Sequence, residues 1–406
     1  MGNASHFPLS QAGYGTLLIK RSCMRIRQHQ RSLPSLPLLR SEISAVTNVF
    51  VSVAGQNDNL GDSVLRRGLL NAVRGPDTEL HVHVGHNDAS YLSAVGLRSG
   101  DTLYYSTRHW ERALEISLFG GRRTVIAFNA GEIQLSTTKA HIGWRTVGRL
   151  LAAKMRGGGG VHSGFGVRSP QKGITRAARV ALRACSIVSW RDAESQRATG
   201  VGELHADWAV GEGQTDDWLL NPETRGARSG LVISMRCDRP LPSDEWMATV
   251  QTYARTRNLT ISVLSQVERD NDRARDIASR IGANTKLVLW TDSSHADHEA
   301  LVRSIYRQSD VVVSDRLHAL IIAATEGALP FGLTTATPEK LVRTLSAAGL
   351  PGVAFSSDDI EREEFLKRLE ALDRHRDLLF SSFIDKRQDL RSFILRIRKL
   401  TSSDQH

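Results

Sequence analysis

The sequence predicts an α/β protein built from two doubly wound, Rossmann-like lobes with a cleft between them. Two observations predict this class. Short apolar runs alternate with helical segments along most of the chain, which is the pattern of a parallel sheet covered by helices on both faces. The alternation stops once, near residues 211–229, and then resumes, so the 406 residues divide into two lobes of ordinary domain size.

The first lobe is predicted to start with a buried strand in the apolar run 49–54, followed by a polar loop and a helix over Ser63–Val73. The glycine run Gly157–Gly160 is predicted to be a flexible loop, and the alternative is a segment that brings the backbone close to a ligand. Further strands are predicted at Leu80–Val84, Thr102–Tyr105, Thr124–Phe128, Ile187–Ser189 and Leu204–Asp207, with helices at Thr146–Met155 and Thr175–Ala184 among them.

The second lobe repeats the alternation, and the carboxyl ends of its strands are expected to face the same cleft as those of the first. Its predicted strands are Leu231–Met235, Leu259–Leu264, Leu287–Leu289, Val311–Val313 and, as the last, Pro330–Leu333. Its predicted helices are Glu245–Arg255, Asp270–Ile281, His298–Gln308 and His318–Glu326.

The predicted domain organisation has five parts. They are a disordered basic extension (1–46), an N-terminal Rossmann-like domain (47–210), a linker (211–229), a C-terminal Rossmann-like domain (230–355) and a C-terminal helical segment (356–406). In the last part, Leu390, Phe393, Ile394 and Ile397 form an apolar stripe beside basic residues. Such a stripe fits either a helix packed on the protein itself or a basic helix in peripheral contact with a membrane.

Charge and cysteine content limit the classes of function. The net charge is +10, and residues 1–45 hold six Lys/Arg against Glu42, so half of the excess is assigned to this tail. The basic balance favours anionic substrates or an anionic membrane, while the scarcity of aromatic residues (6%) argues against nucleic acid. Three scattered cysteines without metal-ligand spacing indicate a cytoplasmic protein that holds no metal.

The loop Gly55-Gln56-Asn57-Asp58-Asn59-Leu60-Gly61-Asp62 is the first candidate site. It connects a strand to a helix, so its backbone N–H groups and the helix N-terminus suit an anion. Asn57 and Asn59 add amide donors, and Asp62 is expected to cap the helix or accept a hydrogen bond from a sugar hydroxyl. A plain turn with an Asp cap is the alternative.

The segment Asp315-Arg316-Leu317-His318 is the second candidate site. It lies where an apolar strand ends and a helix begins, so both polar side chains are expected at the mouth of the sheet. Arg316 suits a phosphate or carboxylate, and His318 suits proton transfer near neutral pH. The alternative is that Arg316 pairs with an acidic neighbour and His318 caps or packs.

Three more basic residues follow predicted strands: Arg191, Arg236 and Lys340. Arg191 and Arg236, each taken alone, are better explained by a surface ion pair than by ligand binding. Together with the two candidate segments, the three residues would surround an anion in the cleft.

The ordered set of motifs resembles the polysaccharide pyruvyl transferase family over about residues 47–345. The elements that carry the resemblance are Gly55–Asp62, Arg191-Asp192-Ala193-Glu194-Ser195, Ala206-Asp207-Trp208-Ala209, Ile233-Ser234-Met235-Arg236, Arg316-Leu317-His318-Ala319 and Lys340. The resemblance implies a GT-B-like enzyme that moves the pyruvyl group of phosphoenolpyruvate onto a sugar hydroxyl pair as a ketal and releases phosphate. It implies no cofactor beyond this donor substrate.

The resemblance also implies roles for individual residues. Donor-binding residues would be Arg316, Leu317, His318, Arg236, Arg191 and Lys340. His318 would be the general acid, with Arg316 beside it. Asn57, Asn59, Asp62 and Glu132 would belong to the acceptor side, where Asp62 or Glu132 would receive the hydroxyl proton. The acceptor would be a cell-surface or exopolysaccharide glycan, free or lipid-linked.

Two other functions stay open at this point. A nucleotide-sugar-dependent GT-B glycosyltransferase would use the same basic residues to hold a diphosphate. A non-catalytic glycan-binding relative would keep the fold without turnover.

Overall fold

The structure is a computed structural model, and it describes residues 46–136, 142–221, 223, 228–334, 339–356 and 362–402. The predicted extension 1–46 lies outside these residues except for Val46. The described chain belongs to one compact unit, Ser44–His406.

Fourteen strands are found in the described ranges, and they form two parallel sheets. The first sheet contains β1 (Thr47–Ser52), β2 (Thr78–His83), β3 (Thr102–Tyr104), β4 (Thr124–Ala127), β5 (Gly131–Ile133), β6 (Gly159–Val167), β7 (Ile187–Trp190) and β8 (Glu203–Leu204). The second contains β9 (Gly230–Ser234), β10 (Thr260–Leu264), β11 (Lys286–Val288), β12 (Ser309–Ser314), β13 (Leu329–Thr334) and β14 (Ala354–Ser356). The strand orders are β3-β2-β1-β4-β6-β7-β8, with β5 on β6, and β11-β10-β9-β12-β13-β14.

Helices connect these strands. They are α1 (Leu60–Val73), α2 (Ala89–Ala94), α3 (Thr107–Phe119), α4 (Trp144–Lys154), α5 (Arg176–Ala184), α6 (Ala193–Thr199), α7 (Asp216–Leu220), α8 (Asp244–Thr256), α9 (Asn271–Ile281), α10 (His295–Gln308), α11 (Leu317–Thr325), α12 (Glu339–Ala347), α13 (Arg362–Arg374) and α14 (Arg376–Thr401).

Both strand orders reverse direction beside the first strand of the sheet, which is the doubly wound arrangement. The central strands β1, β4, β9 and β12 are almost wholly buried because helices cover both faces. One continuous apolar core joins the two halves, from Val49 of β1 to Val313 of β12. The predicted fold class is confirmed, and most predicted elements lie within one to three residues of the observed ones.

The prediction of a flexible loop at Gly157–Gly160 is wrong. The segment leads into β6, and all nine residues of this strand are buried. The glycines reflect close packing rather than mobility. A Cβ on Gly158 would lie 2.7 Å from the carbonyl carbon of Thr124, so only glycine lets the chain pass beside β4.

Three further differences concern short elements. The strand predicted at Leu204–Asp207 ends at Leu204, and Asp207 instead begins a 3₁₀ turn over Trp208–Gly211. The three-residue strands β5 and β14 are absent from the prediction. Part of the predicted linker is ordered as α7, whose Leu219 is buried. The domain boundaries themselves stay a prediction.

The C-terminal helix α14 lies on the protein. Leu390, Phe393 and Ile397 are at most 1% exposed, and Ile394 is partly buried against the same core. Basic residues beside the stripe form ion pairs, Arg391 with Asp216 and Arg396 with Glu203. The interpretation as a helix packed on the protein is therefore confirmed for these four residues, while membrane contact through its basic residues stays a prediction.

None of the helices in the described ranges has the length and apolar character needed to cross a membrane.

Candidate functional site

The first candidate loop contacts the second half of the chain between the two sheets. The loop before α1 touches the loop after β10 through a bridge between Asn59 and Val267 and a hydrogen bond from Leu60 N to Gln266 O of 3.4 Å. Asp58 forms an ion pair of 2.7 Å with Arg269 across the same junction. The carboxyl ends of β1 and β10 are thereby held together, which brings residues from both halves into one site.

The side chains of the first loop are engaged mainly with the loop itself. Asn59 is the N-cap of α1 and accepts from Gly61 N at 3.0 Å. Asp62 instead accepts from Gln56 N at 2.9 Å and pairs with Arg66 at 3.0 Å. The cap predicted for Asp62 is thus supplied by Asn59, because the helix begins at Leu60, three residues earlier than its apolar spacing indicates.

Asn57 connects the loop to the second half of the chain. Its carbonyl lies 3.0 Å from His295 Nδ1, while the other ring nitrogen of His295 lies 2.7 Å from Ser63 Oγ. Its side chain accepts from Asn87. Asn57 and Asn59 therefore have structural roles in addition to the acceptor contacts that were expected of them.

His318 packs directly on the backbone of Gly61. A Cβ on Gly61 would lie 2.6 Å from Cγ and 2.7 Å from Cβ of His318, so the contact requires glycine. Within α11, His318 is the residue that keeps partial exposure, while its neighbours from Leu317 to Thr325 are buried. The helix thus brings the imidazole to the N-terminus of α1.

Asp207 lies on the other side of this imidazole. Its Oδ2 accepts from Arg191 Nη1 at 2.7 Å and lies 3.6 Å from His318 Nε2. Burial alone would raise the pKa of the Asp207 carboxyl, but the nearby charges of His318 and Arg191, with a hydrogen bond from Ala209 N, hold it well below its usual range. Arg191, Asp207 and His318 therefore form one chain, in which a buried carboxylate faces the imidazole.

The position of Arg191 differs from the expected direct contact with the donor. Its side chain is only 5% exposed, and its Nη1 is used by Asp207. Arg191 therefore acts on the site through Asp207, although its charge still adds to the positive potential there.

Arg316 is the N-cap residue of α11, and its Nε pairs with Asp270. This is the alternative considered for Arg316, a pairing with an acidic neighbour. The two Nη groups have no hydrogen-bond partner among the residues that the structure describes. A bidentate anion would therefore compete with Asp270 for the guanidinium or bind to its free edge.

Arg236 and Asp315 lie next to Arg316. Arg236 N donates to Asp315 Oδ1 at 2.9 Å, and the guanidinium of Arg236 pairs with Asp238 at 2.6 Å. Burial raises the pKa of the Asp315 carboxyl to about 6, against the opposing effects of Arg236 and Arg316. Its Oδ2 is buried and has no hydrogen-bond partner in the described chain. Asp315 thus fixes the backbone at Arg236, and one of its two carboxyl oxygens is left without a hydrogen bond.

Lys340 completes the cationic group from the side of α12. It pairs with Glu132 at 3.2 Å, and Arg343 on the same helix pairs with Glu194 at 2.8 Å, so α12 is docked on the first half of the chain. The pKa of the Lys340 ammonium is lowered by burial first and then by the charges of Arg191 and Arg236, against Glu132. The side chain keeps 45% of its surface exposed because the space beside it is open.

Glu132 is held as a carboxylate. Burial would raise its pKa, but Lys340 and Arg168, which lies 3.0 Å away, lower it. A carboxylate with a lowered pKa is a weak proton acceptor. The ion pairs of Glu132 with Lys340 and Arg168 therefore do not favour the expected role of Glu132 as the base.

The site also contains residues that sequence reasoning did not select. Asp207 was visible only as part of a motif, and Asp270 and Asp315 were assigned no role. No local signal marks them, because their importance comes from the arginines and the histidine that the fold brings beside them.

Comparisons with known proteins bear on the fold. No protein-family model matches the chain, and no curated protein matches its sequence. Among solved structures, a putative UDP-N-acetylglucosamine 2-epimerase from Listeria monocytogenes superposes with a TM-score of 0.55 at 12% identity, over 87% of this chain and 98% of that one. The UDP-GlcNAc 2-epimerase from Neisseria meningitidis bound to UDP-GlcNAc gives 0.50 at 9% identity, over 86% and 100%. The chain has a two-lobed, GT-B-like fold. At such identities the likeness shows the fold alone.

Two cavities open at the carboxyl edge of the first sheet of this GT-B-like fold. One of about 500 Å³ is lined by Trp110, Phe128 and Phe165 together with Arg66 and Glu132. The other, of about 830 Å³, is lined by Asn57, His83 and the exposed Tyr105 among others. They share Ala54, His83 and Thr107, so they form one continuous depression that leads to Glu132.

Proposed function

We propose that the protein is a transferase of the polysaccharide pyruvyl transferase type, which moves the pyruvyl group of phosphoenolpyruvate onto two hydroxyls of a glycan. The observation that carries this proposal is the chain Arg191–Asp207–His318, with the cations Arg236, Arg316 and Lys340 around it. A proton donor beside several cations suits a donor substrate that carries both a phosphate and a carboxylate.

The cations would bind the donor. Phosphoenolpyruvate has two anionic groups, and Arg316 has two Nη groups that no described residue occupies. Arg236 and Lys340 approach the same region from the second sheet and from α12. Each of these cations is paired with a carboxylate in the free protein, so the two anionic groups of the donor would compete with Asp270, Asp238 and Glu132 for them.

His318 would act as the general acid. A proton moves from its imidazolium to the methylene carbon of the donor, and C2 becomes oxocarbenium-like. A sugar hydroxyl attacks C2, the C2–O bond to phosphate breaks, and the second hydroxyl closes the ketal. Of the two hydroxyl protons, one restores the imidazolium and the other leaves with phosphate. The carboxylate of Asp207 stabilises the charged imidazole electrostatically.

The acceptor would lie over the first sheet. The depression beside Glu132 offers aromatic faces, amides and carboxylates, which are the groups that bind sugar rings and hydroxyls. Its size suits more than one sugar unit, in agreement with a polymeric or lipid-linked glycan.

A nucleotide-sugar-dependent transferase is the second candidate, because one structural neighbour with this fold is bound to UDP-GlcNAc. Incubation of the protein with envelope glycans and either phosphoenolpyruvate or nucleotide sugars separates the two. We expect phosphate release and a ketal methyl signal in the product with phosphoenolpyruvate. Consumption of a nucleotide sugar instead would refute the proposal, and so would no turnover together with no binding of phosphoenolpyruvate by calorimetry.

A further inference from the structure

The first half of the chain contains a strongly basic stretch of sequence. Residues 105–186 contain fourteen Lys/Arg against three Asp/Glu, a net charge of +11, which exceeds the +10 of the whole protein. The excess is therefore concentrated in a folded region, and the sequence-based assignment of half of it to the N-terminal tail overlooks this concentration.

Three neighbouring helices present this charge. Leu114 and Leu118 of α3, Leu150 of α4 and Ala184 of α5 belong to one apolar cluster under the same face of the sheet. The three helices therefore lie side by side with their opposite faces outward. Exposed basic residues on these outward faces are Arg112, Lys154, Arg176, Arg179 and Arg183, and Arg156 follows directly after α4.

The same outward faces carry exposed apolar side chains. Ile116 and Phe119 of α3 are 64% and 79% exposed. Leu151 of α4 and the following Met155 are 50% and 82% exposed. All four lie toward the carboxyl ends of α3 and α4, where a Cβ on Gly121 would lie 3.0 Å from Arg156 Nη1. We call Ile116, Phe119, Leu151 and Met155, with Arg112, Lys154, Arg156, Arg179 and Arg183 around them, the α3–α5 patch.

The charges of the patch lack partners. Arg112, Arg156, Arg179 and Arg183 form no ion pair with any described residue, whereas Arg145 and Arg149 nearby are neutralised by Glu111 and Glu115. The residues 1–45, which the structure does not describe, are themselves basic. Among the described residues, no acidic side chain therefore neutralises these four arginines, which leaves them available to an anionic surface.

We propose that the α3–α5 patch docks on an anionic phospholipid membrane. Apolar side chains of this size enter the boundary between headgroups and acyl chains, and arginines and lysines around them bind the anionic headgroups. A nucleic acid would use the charges but would leave Ile116, Leu151 and Met155 against phosphate. The combination of apolar centre and basic surround fits a lipid surface.

Vesicle flotation tests the proposal on the full-length protein, without any need for turnover. We expect it to bind vesicles of phosphatidylcholine with phosphatidylglycerol and to bind poorly to phosphatidylcholine alone. Arg179→Gln/Arg183→Gln should lower the partition coefficient about tenfold or more. The matched control Arg255→Gln/Lys286→Gln removes two charges from the second half of the chain and should bind as wild type.

The apolar part is tested separately. Phe119→Gln/Met155→Gln should also weaken binding, whereas Leu378→Gln/Leu395→Gln, which replaces two exposed leucines of α14 (70% and 59%), should not. Because these side chains are exposed, the variants should unfold at the wild-type temperature.

Several outcomes would overturn the proposal. Wild-type protein that does not float, or that floats equally well with neutral vesicles, contradicts it. If both patch variants bind vesicles as strongly as their controls, the membrane contact lies elsewhere on the protein and the proposal is wrong. Binding to duplex DNA that depends on Arg179 and Arg183 but not on Phe119 and Met155, without vesicle binding, would assign the surface to nucleic acid.

Discussion

The imidazole of His318 rests on the backbone of Gly61, and this contact joins the two segments of the chain with the most distinctive sequences. Gly61 belongs to the loop that starts α1, and His318 belongs to the first turn of α11. The side chain is fixed from one side by Gly61 and from the other by Asp207, which lies 3.6 Å from Nε2. The candidate acid is therefore positioned by both halves of the fold.

Replacement of Gly61 by alanine should displace His318. The added Cβ would overlap the imidazole, and a displacement of about 1 Å typically costs about 10²-fold in rate. We expect phosphate release from phosphoenolpyruvate to fall by about this factor while the donor still binds. Gly148→Ala, where nothing lies within 4 Å of the new Cβ, is the control and should be fully active. An unchanged rate in Gly61→Ala would argue against His318 as the acid.

Removal of the buried carboxylate in Asp207→Asn should destabilise the protein. It leaves Arg191 without its charged partner, which costs about 3 kcal/mol. Because the folded pKa of Asp207 is depressed, the carboxylate stabilises the fold at pH values above its unfolded pKa, 3.8, and this stability is lost as the pH falls below that value. Urea unfolding at neutral and acid pH should therefore show the variant losing less stability on acidification than the wild type.

The control for this experiment is Asp292→Asn, an exposed position, whose unfolding should follow the wild-type pH dependence. Parallel curves for Asp207→Asn and the wild type would show that the ion pair contributes little.

Asp315→Asn should change the stability of the protein in the opposite direction to Asp207→Asn. The pKa of Asp315 in the folded protein is raised to about 6, so ionisation of this buried carboxyl opposes folding. The protonated carboxyl is favourable for folding at low pH, and this contribution is lost as the pH rises through 6. The amide cannot ionise. The variant should be more stable than the wild type by about 2 kcal/mol above pH 6, and the difference should vanish near pH 4. Thermal unfolding between these values measures it, and a constant difference would contradict the assignment.

Arg316→Gln should weaken donor binding. Loss of a charged hydrogen-bond donor from an anion typically costs about 2 kcal/mol, or roughly 30-fold in Kd. Calorimetric titration with phosphoenolpyruvate measures this change. Arg280→Gln removes an exposed arginine that pairs with Asp244 and should leave the Kd unchanged. Equal affinity in both variants would show that Asp270 is the true partner of Arg316.

Truncation of Phe393 tests the role of α14. The side chain is 1% exposed, and Phe→Ala changes in cores cost about 3–5 kcal/mol. Leu395→Ala, at a position that is 59% exposed on the same helix, should change the free energy of unfolding by less than about 0.5 kcal/mol. Similar small effects at both positions would mean that α14 separates readily from the protein.

The fold class and most elements could be predicted because each buried parallel strand is a short apolar run bounded by polar residues. Val311–Val313 and Leu231–Met235 illustrate this, since both agree with observed strands to within a few residues. Prediction failed at the glycine-rich β6, because glycine indicates both loops and close backbone packing, and the strand of β4 that passes beside Gly158 is more than thirty residues away in the chain.

Part of the candidate site could also be predicted from the sequence. A strand that ends in Asp-Arg-Leu-His places Arg316 and His318 at the mouth of a sheet, and the structure shows both there. Their partners were not predictable. Asp270, Asp207 and Glu132 belong to other elements, and an ion pair depends on distances that only the packed chain defines.

The sequence by itself determined the alternation of strands and helices, and with it the two sheets and the position of Arg316 and His318 at a strand end, because these follow from local periodicity. Tertiary structure alone decided which groups face His318. Gly61 comes from the first loop and Asp207 from the end of the first half, and the two meet the imidazole because α1, α11 and the turn after Asp207 pack on one core. Whether a histidine stands beside a glycine and a buried carboxylate is a property of that packing, which no local pattern of residues contains.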